Sequence, residues 1–177
     1  RQIIDEKLDG GPIKVVANLP YYVTTPIIGR LLEEELPFKS ISVMVQKEVA
    51  DRMVAKPHTK DYGALTLFVN FYTKPEIILK VPKTVFMPQP KIDSSVIRFT
   101  LKDELPDTNR DSYFKLVKAA FSKRRKTLIN ALSTFGLLAD KEELREALKR
   151  AGIEETVRGE DLDMNDYVRL ARELPKL

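Results

Sequence analysis

The β-branched run Ile13-Lys14-Val15-Val16-Ala17 stops abruptly at Asn18-Leu19-Pro20-Tyr21-Tyr22, and an apolar pattern at helical spacing begins after Thr25-Pro26. That order constrains the fold more than any other stretch of the chain. It reads as a buried strand, a polar-aromatic turn and a helix, the signature of an α/β layer. In open α/β sheets ligands bind off the carboxyl ends of strands, and Asn18 to Tyr21 fall at such an end. As a bare tetrapeptide, Asn-Leu-Pro-Tyr also reads as a plain turn, with the Asn side chain bonded to the backbone two residues on. The residues alone leave both readings open.

The four residues can nevertheless do specific chemistry. Asn18 offers a carbonyl acceptor and an amide donor. Pro20 fixes its own φ and biases Leu19 toward an extended conformation, which gives the Leu19 carbonyl a set direction. Two acceptors can then converge on one exocyclic amino group, while Tyr21 supplies a flat ring beneath a planar base. An aromatic amine is a poor nucleophile because its lone pair is delocalised into the ring. Acceptors on its hydrogens draw it toward a tetrahedral geometry and free that lone pair. What remains is in-line positioning against a methyl donor, a proximity effect.

Further along, Thr25 is a plausible helix N-cap with Pro26 at the first helical position, and Ile27, Ile28, Leu31 and Leu32 give the helix an apolar face. Glu33-Glu34-Glu35 reads as a solvated helix end before Pro37. Ile41–Val45 is a second strand, nearly continuous in apolar character, as in a sheet covered on both faces. Val49, Ala50, Met53 and Val54 mark a helix, and Pro57-His58-Thr59-Lys60-Asp61 a loop in which His58 reads as a surface residue. Leu65–Tyr72 is ambiguous between helix and strand by period alone. Glu76–Val81 and Ser94–Leu101 read as strands around a loop stiffened by Pro82, Pro88 and Pro90.

Lys102 to Arg110 is polar and without period, and a domain boundary is expected there. Beyond it everything reads as helix: Phe114, Val117 and Phe121 on one face, then Leu128, Leu132 and Phe135 ended by Gly136. Asp140 with Glu143 resembles a capping box before Leu144, and a last helix runs from about Asp163 to Leu174 before Pro175.

Hydrophobic content of 43% is enough for a real core. Without cysteine, neither a disulfide framework nor a thiolate metal site is possible, and no metal site is expected. No apolar run approaches membrane-spanning length and no signal-peptide pattern opens the chain, so a cytoplasmic protein is expected. The net charge of +4 is mild, but its distribution is not. Arg110, Lys115, Lys118, Lys123, Arg124, Arg125 and Lys126 crowd one stretch against Asp111 alone, while acids collect at Glu33–Glu35 and in Asp140–Asp163. Such a basic patch on a near-balanced chain points to a polyanion.

Four stretches, in order, carry a resemblance: Asn18-Leu19-Pro20-Tyr21-Tyr22; Gln46-Lys47-Glu48-Val49 with Arg52; Phe86 through Val96, with the form Phe-x-Pro-x-Pro-Lys-Ile-Asp-Ser-Ser-Val; and Phe121-Ser122-Lys123-Arg124-Arg125-Lys126-Thr127 with Leu128 to Leu132. Together they resemble the KsgA-type ribosomal RNA adenine dimethyltransferases across nearly the whole chain. The resemblance implies an α/β fold: the C-terminal half of a Rossmann-like class I methyltransferase sheet, whose strand order is 3-2-1-4-5-7-6, followed by a small all-α domain. It implies domains at 1–104 (strands four to seven of the sheet) and 105–177 (helical, RNA-binding), a helix over Leu65–Tyr72, and S-adenosylmethionine as cosubstrate.

The resemblance also assigns roles. Asn18 and the Leu19 carbonyl would bind the adenine amino group, with Pro20 setting their geometry; Tyr21 and Phe86 would stack on the two faces of an extruded base, offsetting the few kcal/mol that extrusion costs. Asn18 and Pro20 would also face the cosubstrate. Lys91, Lys123, Arg124, Arg125, Lys126 and Asn130 would contact RNA, since cations at a helix start oppose the helix dipole and a phosphate partner explains them. Phe86 as a core aromatic under a proline loop, and Lys123–Lys126 as a solvated charge run, are the plainer readings of the same residues.

The family's Gly-x-Gly-x-Gly loop, with the acidic residue that follows it, lies well upstream of Asn-Leu-Pro-Tyr, and Gly10-Gly11 does not replace it. The implied expectation is a truncated chain that lacks most of the cosubstrate pocket, is inactive alone, and self-associates through Ile13–Ala17 as an open sheet edge; the parent is expected to be a monomer. Leu19 and the Arg124–Thr127 run favour the small-subunit (16S-type) branch, so the expected partner is small-subunit ribosomal RNA or a pre-30S particle. A non-catalytic RNA-binding assembly module and a DNA adenine methyltransferase are the alternatives.

Overall fold

The computed structural model describes residues 12–34, 36–136 and 141–174. Its contacts divide the chain into two compact units, one formed by residues up to 54 and 72–103, the other by 55–71 and 104 onward.

The first unit is built on a four-stranded sheet of β1 (Ile13–Asn18), β2 (Phe38–Gln46), β3 (Thr73–Val81) and β4 (Ser94–Leu101), in the order β1-β2-β4-β3. β1 and β2 are parallel, while β4 runs antiparallel to both β2 and β3. This is the 4-5-7-6 part of the order the resemblance implies. Ile41, Val43 and Val45 of β2 and Ile97 and Phe99 of β4 are fully buried and form the core of this unit. The alternate β2 positions, Ser42 and Met44, are only half-buried, so β2 is not equally covered on its two faces as its apolar run suggests. β3 is longer than expected and contains Pro75. It lies at the sheet edge, where a missing N–H costs no ladder bond. A register shift at Ile77/Leu79 leaves Ile78 and Leu79 exposed.

The connection after β1 starts earlier than the sequence suggests. A 3-10 turn, Tyr21–Val23, runs into α1 (Thr24–Glu33), whose N-cap is Val23 and not Thr25. Pro26 still lies in the first helical turn, where its missing N–H removes no intrahelical bond. Thr24, Ile28 and Leu32 are the buried stripe of α1. α2 (Lys47–Met53) follows β2 directly and buries Ala50 and Met53.

The second unit is helical. α3 (Ala64–Tyr72) contributes all but its last residue to it, alongside α4 (Arg110–Ala120), α5 (Leu128–Phe135), α6 (Lys141–Arg150) and α7 (Met164–Glu173). Asn109, from the polar stretch after β4, caps α4 by accepting the Ser112 N–H at 2.9 Å. Gly136 ends α5 at φ 75°, the left-handed conformation that favours glycine. Asp163 and Asp166 cap α7 reciprocally. The expected cap at Asp140 and the stop at Pro175 fall outside the described residues.

The second unit's core is aromatic. Tyr113 and Tyr167 are wholly buried, and Phe71 packs on Tyr113 with ring centroids 4.7 Å apart. Their hydroxyls are not stranded: Tyr167 donates to the Gly159 carbonyl at 2.8 Å and Tyr113 to the Leu67 carbonyl at 3.4 Å, while the nearby buried Tyr62 donates to the Leu162 carbonyl at 2.7 Å. Burial pushes the phenols of Tyr62, Tyr113 and Tyr167 up, which keeps all three as neutral donors.

Candidate base-binding cleft and basic surface

In the first unit, a cleft of about 370 Å³ opens at the carboxyl ends of the parallel strands β1 and β2. Its lining includes Asn18, Leu19, Pro20 and Tyr21 on one side and Phe86, Pro88 and Pro90 on the other. The structure therefore brings together every residue that the sequence pairs as an amine- and base-binding set. It adds Met44, which pairs in register with Asn18 on the neighbouring strand.

The backbone sets the geometry. Pro20 sits at φ −59° and ψ 132°, and its carbonyl accepts both the Val23 N–H at 3.2 Å and the Thr24 hydroxyl at 3.1 Å. That fixes the turn without using the Asn18 carboxamide. Among the described residues the Asn18 side chain makes no hydrogen bond and is exposed at the cleft, so the turn is not the Asn-bonded kind. The Tyr21 ring is half-buried, and its hydroxyl shares a 2.8 Å hydrogen bond with Ser94 Oγ at the start of β4.

The facing loop is stitched by Asp93. Its carboxylate accepts the Lys83 N–H at 3.0 Å, and its carbonyl accepts the Lys47 N–H at 3.0 Å. The short 3-10 turn Lys83–Val85 leads to Phe86 in extended conformation, and a cis peptide bond joins Met87 to Pro88. Val85 and Met87 point to solvent while Phe86 is half-buried at the cleft, so Phe86 is not a core side chain. Asp93 and Ser94 lie inside the Phe-x-Pro-x-Pro stretch, but nothing in their spacing reveals that one braces the loop and the other the Tyr21 ring. Lys91 is exposed on this loop, and its carbonyl accepts from Lys83 Nζ at 3.5 Å.

The basic run belongs to the second unit. Phe121–Lys123 is a 3-10 turn, and Lys123 to Lys126 precede α5, whose N-cap is Thr127. The four cations do not share one environment. The Arg124 guanidinium turns inward: it donates twice to the Lys60 carbonyl at 3.1 Å, reaches the Tyr62 carbonyl at 3.5 Å, and pairs with Glu160 at 3.1 Å. Lys123, Arg125 and Lys126 are exposed, and their side chains have no ion-pair partner among the described residues. Asn130, on α5, donates to Thr127 Oγ1 at 2.9 Å and accepts from Lys141 Nζ at 3.3 Å.

Residues 2–176 match the family described as ribosomal RNA adenine dimethylase. The chain belongs to that family. It is 54% identical to ribosomal RNA small subunit methyltransferase A of Alkaliphilus oremlandii over 99% of its own length and 62% of the relative's. It is 52% identical to the protein of that name from Clostridioides difficile over 94% of its length and 58% of the relative's. The chain thus spans about three fifths of the curated relatives it matches. Among solved structures, a dimethyladenosine transferase from Plasmodium falciparum superposes with a TM-score of 0.80 at 28% identity, covering 92% of this chain and 66% of that one. The 23S rRNA methyltransferase ErmE, 23% identical, shares the fold with a TM-score of 0.66 over 93% of this chain and 66% of its own. Both share the fold of this chain.

Proposed function

We propose that this chain carries the base-accepting cleft and the RNA-binding helical domain of an S-adenosylmethionine-dependent adenine N6,N6-dimethyltransferase for small-subunit ribosomal RNA, acting in the cytoplasm. The observation that carries the reading is the convergence of a free Asn18 carboxamide, Tyr21 and Phe86 on one cleft at the strand ends. The division at about residue 104 into a partial methyltransferase domain and a helical domain belongs to the same reading. No helix among the described residues is long and apolar enough to cross a membrane.

The cleft lining fits a planar base: aromatic and proline surfaces for its faces and an amide for its edge. Asn18 Oδ1 and the Leu19 carbonyl accept the two hydrogens of the exocyclic amine, and its nitrogen becomes more tetrahedral and nucleophilic. Tyr21 takes one face of the base, steadied by Ser94, and Phe86 takes the other. Among the described residues that line the cleft none is a carboxylate, and Asn18 and Pro20 are assigned to the cosubstrate side. When bound, S-adenosylmethionine supplies an electrophilic methyl group. The nitrogen would bond that methyl as the methyl's bond to the sulfonium sulfur breaks and the neutral thioether leaves, the amine proton would pass to water, and in the second transfer one of the two acceptors would hold the remaining hydrogen. In the second unit, Lys123, Arg125 and Lys126 contact phosphates while Arg124 holds their turn. Lys91 and Asn130 are secondary contacts in the same reading.

The test is incorporation of labelled methyl groups by the intact enzyme into unmethylated small-subunit RNA particles, large-subunit RNA and duplex DNA. Dimethyladenine from the small-subunit substrate alone is the expected product. Methylated DNA, methylated large-subunit RNA or RNA binding with no transfer would each overturn it.

A further inference from the structure

The loop before α3 is held against the basic turn although the two are 64 residues apart in sequence. Arg124 provides the link through the carbonyls of Lys60 and Tyr62 and the Glu160 carboxylate. The loop is fixed on its own account as well. Thr59 Oγ1 donates to the Lys56 carbonyl at 2.7 Å, the Tyr62 N–H to the Thr59 carbonyl at 3.2 Å, and the His58 N–H to the Glu160 carbonyl at 3.0 Å. His58 holds φ 65° and faces Asp161, Nδ1 to Oδ1 3.2 Å. The acids here are mostly occupied internally: Glu160 by Arg124 and Arg158, and Asp161 by His58 and the Arg158 N–H. Asp61 is half-buried and forms no ion pair among the described residues. Lys56 and Lys60 are exposed, and their side chains are unpaired among the described residues.

We propose that the Lys56–Lys60 loop is a second arm of the RNA-phosphate surface, with Lys56 and Lys60 extending the set Lys123, Arg125 and Lys126, and with Arg124 as the internal clasp that holds the two arms together. The proposal rests on the RNA reading of the basic turn and extends it to a segment that the sequence assigns to no interaction. The partner is a phosphate backbone and not a protein face: neither segment exposes a large hydrophobic side chain, so the apolar centre of a protein interface is missing. A loop backbone held by these hydrogen bonds behind exposed lysine side chains suits phosphates, which need charge at a defined spacing and little else.

The test is the salt dependence of binding of a labelled RNA stem-loop to the full chain. Lys56→Gln/Lys60→Gln keeps a long polar side chain and removes two charges whose side chains make no bond among the described residues. If both contact phosphates, the slope of log K against log salt falls by roughly 1.4 to 1.8. Arg125→Gln/Lys126→Gln is expected to lower it by a similar amount, and Arg145→Gln/Lys149→Gln, on α6 and outside the basic run, to leave it unchanged. An unchanged slope for Lys56→Gln/Lys60→Gln beside a reduced one for Arg125→Gln/Lys126→Gln would overturn the second arm alone. Unchanged slopes for both would overturn the RNA reading of the turn with it. An equal fall in the Arg145/Lys149 variant would mean that net charge, not this surface, sets the affinity.

Discussion

The turn after β1 and the turn before α5 both concentrate polar groups at the edge of an element, yet they use them in opposite ways. At Asn18–Tyr21 the backbone does the holding: the Pro20 carbonyl takes two donors, and the Asn18 carboxamide stays uncommitted. At Lys123–Lys126 a side chain does the holding, since Arg124 gives its fork to two carbonyls and a carboxylate while its neighbours remain unpaired. The lesson is that a motif is not a unit of function. Counting partners atom by atom separates the residue that acts from the one that positions, even between adjacent arginines.

The largest effect should come from the uncommitted group. Under the proposed function, Asn18→Ala in the intact enzyme would remove an acceptor that matters most as the amine becomes tetrahedral. Turnover is expected to fall about a hundredfold or more, by analogy with other preorganised polar partners, with KM little changed. Because Asn18 supports nothing else in the fold, the melting temperature should not move. Near-normal turnover would remove Asn18 from the chemistry, and a large drop in melting temperature would make it a structural residue like Arg124.

The holding side of the comparison is tested at Gly159. A Cβ there would lie 3.0 Å from the Tyr167 hydroxyl, 3.1 Å from the Ala120 Cβ and 3.2 Å from the Ala120 carbonyl. Two of these are backbone-linked and cannot yield cheaply. Gly159→Ala should cost roughly 1 to 3 kcal/mol, as overpacking does, measured by denaturant unfolding. It should also shift Glu160, the anion of the Arg124 clasp, so RNA affinity should fall with stability. Wild-type stability would show that the segment before Glu160 is free to move and that the clasp is loose.

What the sequence makes legible divides along the same line. The strand, turn and helix around Asn-Leu-Pro-Tyr are readable because β-branching, proline and apolar period all act within a few residues. The cleft set is readable because strand-end geometry places it. The misplaced start of α1 has a local cause too: a 3-10 turn feeds the helix one residue before Thr25, and proline fits any position in the first turn. Other features depend on distant partners. α3 is apolar nearly all round, so its period does not say which core it joins, and its aromatics find Tyr113 and Phe114 over forty residues on. Arg124 looks like its neighbours until Lys60 and Glu160 are brought to it.

A direct contrast between adjacent arginines should give a smaller effect. Arg124→Ala removes charge-assisted bonds to two carbonyls and a carboxylate, but the side chain is about half exposed at 48%, so solvent screens much of the loss. A destabilisation of about 1 kcal/mol is expected. Arg125→Ala should stay within about 0.5 kcal/mol of wild type, the range of surface substitutions with no partner. Thermal melts of the two variants decide the matter, and equal values would dissolve the distinction between clasp and contact.

The smallest effect should be at Tyr21, where one side chain both acts and is held. Tyr21→Phe keeps the ring that the proposed function stacks on the base and removes only the hydroxyl bonded to Ser94 at 2.8 Å. A neutral, partly solvated hydrogen bond contributes about 0.5 to 1.5 kcal/mol, so methyl transfer should fall by only a few-fold. Tyr21→Ala loses the stack as well, worth about 1 to 3 kcal/mol per base, and should fall much further. Ser94→Ala should match Tyr21→Phe, and the double variant should be no worse than either, because both delete the same bond. If the two losses add instead, Ser94 acts independently of the ring, and orientation of Tyr21 must come from the proline-fixed backbone alone.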